Sequence, residues 1–102
     1  MIAIQLVQGF VGTIKYILNF EGQIVDLEHR TVTFNFTDRL EQNRYSILCK
    51  KGTSPGEVLI QFSAKETEGF GDFYGEFVVK SIRDTSIYPI TGHVLLKIRK
   101  RI

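Results

Sequence analysis

Apolar and polar residues alternate with a period of two through most of the chain, and the 3.6-residue period of an amphipathic helix is nearly missing. In TVTFNFT, Val32, Phe34 and Phe36 are separated by Thr31, Thr33, Asn35 and Thr37, the pattern of a strand with one buried face. VLIQF repeats it with Val58, Ile60 and Phe62, YSILCK with Tyr45, Ile47 and Cys49, and HVLLKIR with Val94, Leu96 and Ile98. TIKYILNF offers Ile14, Tyr16, Leu18 and Phe20 to one face of a single strand. In GDFYGEFVV the alternation sends Phe73, Gly75, Phe77 and Val79 inward and Asp72, Tyr74, Glu76 and Val78 outward. A glycine between two inward phenylalanines leaves room for a facing group to come close.

Turn chemistry falls between these runs. NFEGQ carries Gly22, LEQNR is polar, KKGTSPGE holds two glycines and Pro55, and SIRDTSI has the look of a hairpin. SAKETEG is the one helical candidate, long enough for a single turn. The spacing predicts seven or eight strands in an antiparallel sandwich or barrel, one domain spanning residues 1–102. Composition agrees: 43% hydrophobic and 24% charged residues suit a packed domain, and the abundance of Thr, Val, Ile, Phe and Tyr suits strands. No basic leader precedes the first apolar run, and no run is long enough to cross a bilayer. Cys49 is the single thiol, so no internal disulfide forms and a reducing interior is expected.

Candidate chemistry is sparse. His29 and His93 lie in different segments, and a His29, Cys49 and Asp26 set would need Cys49, which sits at an apolar-face position typical of an inert cysteine. Glu21, Asp26, Glu28 and His29 cluster in FEGQIVDLEHR without the spacing of a metal site. The glycines of GFGDFYG lack the following helix that a nucleotide loop requires. Neither a catalytic centre, a metal nor a cofactor is therefore expected. A net charge of +2 excludes a strongly basic nucleic-acid binder, although KIRKRI gathers Lys97, Arg99, Lys100 and Arg101 at one end. A barrel stacking single-stranded bases on Phe34, Phe36, Tyr45 and Tyr74 is the first alternative.

Several segments together carry a family resemblance: EGQIVDLEHRTVTFNF, SPGEVLIQF, GDFYGEFVV and SIYPITGHVLLKI. They resemble the immunoglobulin-like N-terminal domain of phage baseplate upper proteins and small phage proteins similar to it. The matching positions are Gly22, Val25, Asp26 and Leu27, then Gly56 and Val58, then Gly71, Phe73, Glu76 and Phe77, and finally Tyr88 with Pro89. Phe73 stands where the family has tyrosine, so no tyrosine-corner hydrogen bond starts there.

The resemblance implies an all-β, antiparallel immunoglobulin-like β-sandwich that works through surfaces and strand edges. It implies a non-enzymatic virion component, a tail or baseplate adaptor or a capsid decoration protein. Such a protein is assembled in the host cytoplasm in multiple copies, its partners other virion proteins rather than membrane or nucleic acid. Phe34, Phe36, Ile60, Phe62, Phe77 and Leu96 are expected to form the core. Assembly contacts are expected from Ile2, Ile4 and Leu6 on the N-terminal strand, from Tyr74 and Glu76, and from Lys97, Arg99, Lys100 and Arg101 docking on an acidic partner. A second alternative is a small-molecule barrel of dirigent type, suggested by GFGDFYGEF and YPITG, with an apolar cavity and polar groups such as Tyr74 and Glu76.

Overall fold

A computed structural model describes residues 3–89 and 93–102, with side chains from Ile4 onward. Among the described residues ten strands run in chain order: β1 (Ala3–Val7), β2 (Gly12–Ile17), β3 (Asn19–Phe20), β4 (Gln23–Ile24), β5 (Thr31–Asp38), β6 (Arg44–Lys51), β7 (Glu57–Phe62), β8 (Gly71–Lys80), β9 (Thr85–Tyr88) and β10 (Val94–Arg99). Eight of them form one mixed sheet curled into a half-barrel, ordered β1-β10-β8-β5-β6-β7-β2 with β9 also on β8; β3 and β4 make a separate two-residue hairpin. The all-β expectation holds, and the fully antiparallel one does not. Every pairing is antiparallel except β1 with β10, which run parallel. No hairpin joins these first and last strands, so nothing in the chain forces them to run in opposite senses.

Curling happens at β6. Residues 44–49 pair with β5, whereas Lys50 and Lys51 pair with Leu59 and Val58 of β7, so one strand serves both halves of the sheet. The half formed by β7 and β2 then lies across β5 and β8. Aromatic rings fill the space between: Tyr16 meets Phe77 at 4.8 Å, Phe77 meets Phe34 at 4.8 Å, and Phe36 reaches Phe62 at 6.2 Å. All six expected core residues are buried, as is every inward position assigned on β5, β7, β8 and β10. On β6, Ile47 and Cys49 are buried and Tyr45 is half-buried, stacked on Phe36 at 5.0 Å.

Local deviations have local causes. TIKYILNF is not one strand, because the Leu18 amide donates to the Gly56 carbonyl and its own carbonyl accepts from Val25. Leu18 stays buried, but Phe20 moves onto the hairpin and is exposed. That hairpin turns on Glu21 and Gly22, both at positive φ (51° and 79°), the mirror-image turn that two-residue loops prefer. SAKETEG forms a turn rather than a helix: Glu66 donates its amide to the Ser63 carbonyl, and its carboxylate accepts from the Ser63 amide and hydroxyl. These are the bonds of a helix start with no helix after it. SIRDTSI is the β8–β9 hairpin, closed by the Ser81 amide on the Asp84 carbonyl.

That single turn also positions the N-terminal connection. Thr67, fully buried, donates its hydroxyl to the Phe10 carbonyl at 2.8 Å, while its carbonyl accepts from the Gly9 amide. Gln8 donates its side-chain amide to the Glu68 carbonyl at 2.7 Å. Thr67→Val keeps the shape and orphans one carbonyl, so it is expected to cost about 1–2 kcal/mol, read as a lower urea midpoint at unchanged slope.

Candidate functional site

Two surfaces gather the candidate side chains. The first is the outer face of β5, β6, β8 and β10. The residues between the core positions point there, and the strand register sets them in rows. Ser46, Asn35 and Glu76 face one another across β6, β5 and β8; Arg44, Thr37 and Tyr74 form the next row, with Leu95 beyond on β10. Side chains in such rows stand about 5 Å apart between strands. Tyr74 and Glu76 lie on this outer face, as the alternation assigned them.

These rows line an open groove of about 400 Å³ that runs from Glu41 and Arg44 to His93. Ser46 donates its hydroxyl to the Asn35 side-chain carbonyl at 2.7 Å. Arg44 is held by the Glu41 carboxylate at 2.9 Å. The β5–β6 loop behind them is braced by Asp38, whose carboxylate accepts from the Gln42 amide and the Asn43 side chain, both at 2.8 Å. The Asn43 bond holds the Asp38 carboxyl below its usual range. Across the groove, the His93 and Tyr74 rings meet edge-on at 6.0 Å. Five residues, 89–93, separate Tyr88 from Val94, whereas on β8 only Glu76 separates their partners Phe77 and Gly75.

The second surface is the β1 end of the sheet. Ile2 lies outside the described residues. Ile4 and Leu6, expected to make contacts through the edge of their strand, have buried side chains, because β1 pairs with β10 and turns them into the core beside Leu96 and Ile98. What β1 presents is its backbone edge, with Gln5 exposed. Lys97 and Arg99 are exposed on β10 and border a shallow hollow with Gln5 and Asp72. Lys100 and Arg101 are exposed as well, just past the end of β10. Lys100 sits over the Phe70 ring at 5.4 Å, and the Arg101 amide donates to the Gln8 side chain at 3.2 Å.

Other sequence candidates are separated. Phe34 and Phe36 are buried, Tyr45 is half-buried and stacked on Phe36, and Tyr74 stands on the outer side of β8, so the four aromatic residues of a base-stacking platform are not displayed together. The inward face is packed with aromatic rings where the dirigent-type alternative would place an apolar cavity. His29 is exposed at a turn, 3.6 Å from Glu28, while Cys49 is in the core. Asp26 accepts from the Glu28 amide, an ordinary turn contact. Among the described residues no three His, Cys, Asp or Glu side chains converge.

Burial pushes the Cys49 thiol up to about 11. Iodoacetamide at pH 8 is therefore expected to leave native Cys49 unmodified and to label it promptly in urea. The raised value also links stability to pH. Cys49 favours the fold fully below its ordinary value of 9.0, and its contribution declines from there to about pH 11.

Sequence reasoning missed the groove because its parts lie on four segments whose adjacency only strand register reveals. The two outward residues of β8, Tyr74 and Glu76, were its sole signal. No protein-family model matches the chain, and no curated protein matches it.

Proposed function

We propose that the chain is a non-enzymatic structural component of a bacteriophage particle, a tail or baseplate adaptor or a capsid decoration protein, which joins its neighbours through the open edge of β1. The observation that carries the reading is the contrast between the two ends of the sheet. β2, at one end, bears the exposed charge Lys15, a common guard against unwanted pairing. β1, at the other, reads AIQLV, with neither charge nor proline. No strand is hydrogen-bonded beyond β1 among the described residues. An unguarded edge suits addition of a strand from a neighbouring subunit, in which main-chain hydrogen bonds supply affinity. Lys97 and Arg99 beside that edge favour an acidic partner.

The immunoglobulin-like reading of the fold belongs to the same proposal. Supporting it, β10, β8 and β5 are ordered like the G, F and C strands of such a domain. β2 and β7 are paired like its B and E strands. The continuous bend through β6 is the feature that a two-sheet sandwich does not require.

Quantitative mass spectrometry of purified particles tests the proposal, comparing the natural chain with Gln5→Lys. Gln5 is exposed, so the lysine guards the edge without entering the core. The expected result is a fixed copy number for the natural chain and a reduced one for the variant. Absence of the natural chain from particles overturns the virion reading. Equal incorporation of the variant overturns the assignment of the β1 edge.

A further inference from the structure

We propose that the groove on the outer face binds a neutral sugar residue, with Tyr74 as the stacking surface and Asn35, Thr37 and Glu76 as hydroxyl partners. This reading is independent of the β1 edge and assigns Tyr74 and Glu76 to a ligand rather than to a subunit contact.

Four observations carry it. The groove is an open trough of about 400 Å³, a volume suited to a small ligand. Its floor is a grid of donors and acceptors set by cross-strand register: Asn35 opposite Glu76, and Thr37 opposite Tyr74. A sugar ring carries neighbouring hydroxyls, each able to donate and to accept, so it answers a mixed grid of this kind along its edge. The Asn35 carbonyl oxygen already accepts from Ser46, which fixes the amide and turns its N–H groups toward other acceptors. Glu76 supplies acceptors only when ionised.

Thr37 adds the most pointed signal. Its hydroxyl oxygen is buried on the groove floor and has no hydrogen-bond partner among the described residues. A buried unpaired hydroxyl is costly, and a small shift of the side chains covering it would let a ligand hydroxyl remove the cost. Beside it the Tyr74 ring offers the apolar surface on which the C–H face of a sugar rests, and His93 stands edge-on against that ring.

The charges select a neutral ligand over an anion. Arg44, the groove's arginine, is bound to Glu41 at 2.9 Å, and Glu76 adds a negative charge at the centre. A phosphate or carboxylate would meet the Glu76 charge and would share Arg44 with the Glu41 carboxylate.

Amide NMR titration with a panel of neutral trisaccharides of glucose, galactose, rhamnose and N-acetylglucosamine tests the assignment, with inorganic phosphate as the anionic probe. The expected result is saturable shifts at residues 35–37, 44–46 and 74–76 with at least one sugar, at a Kd of about 1 mM or tighter. Tyr74→Ala is expected to weaken that affinity by about tenfold or more, with the remaining spectrum unchanged. Should Tyr74→Ala fail to fold, Glu76→Gln serves as the second variant and is expected to weaken binding as well. Shifts with phosphate but no neutral sugar overturn the proposal. So do the absence of saturable shifts with every sugar, shifts confined to other surfaces, and affinities untouched by the substitutions.

Discussion

Phe77→Ala is expected to lower the unfolding free energy by about 3–5 kcal/mol. Phe77 is fully buried on β8, the long strand between β5 on one edge and β9 and β10 on the other. Its ring lies 4.8 Å from both Phe34 on its own half of the sheet and Tyr16 on the half that folds across. Removing it therefore empties the seam between the two halves instead of thinning one layer. A chain of this length has roughly 5–15 kcal/mol of total stability, so the variant keeps little margin. Urea denaturation followed by circular dichroism measures the loss. A loss below about 1 kcal/mol would mean that the two halves of the sheet are not held together by these rings.

Why the core was legible and the groove was not follows from what alternation encodes. A period of two states which side of its strand each residue occupies, so TVTFNFT, VLIQF and GDFYGEFVV disclosed their buried faces without reference to one another. Turn residues marked the hairpins for the same local reason, and Gly22 and Asp84 fall where the chain reverses. Pairing partners are not local. Nothing in RYSILCKK states that its first six residues pair with β5 and its last two with β7, yet that division curls the sheet. The parallel placement of β1 on β10 is likewise a contact between residues nearly a whole chain apart. It places the side chains of Ile4 and Leu6 in the core, and their apolar character suited a docking edge and a core strand equally. Thr37 shows the same limit on a smaller scale. It reads as one of four polar residues on the outer side of TVTFNFT, and the alternation does not tell that its hydroxyl is buried and unpaired.

Gly75→Ala is expected to destabilise the protein by about 1–3 kcal/mol, through a clash that the sequence anticipated in kind but not in partner. A methyl group at Gly75 would stand 2.6 Å from Cζ and 2.7 Å from Cε1 of Phe34, and 3.3 Å from the Asn35 carbonyl oxygen. The strand partner of Gly75 is Phe36, so the intruding ring comes from the diagonal neighbour, laid over the glycine as an aromatic ring covers a gap in a sheet. Phe34 has nowhere to retreat: it is fully buried, stacked on Phe36 at 5.4 Å and pressed by Phe77 on its other side. Phe34→Leu alone removes packing and is also expected to destabilise. In the double variant the smaller side chain vacates the space that the methyl needs, so the combined loss is expected to be smaller than the sum by about 0.5–3 kcal/mol. A double-mutant cycle on urea midpoints measures that coupling. Strict additivity would place the cost of Gly75→Ala in the strand backbone beside Asn35, because a backbone conflict would persist whichever side chain occupied position 34.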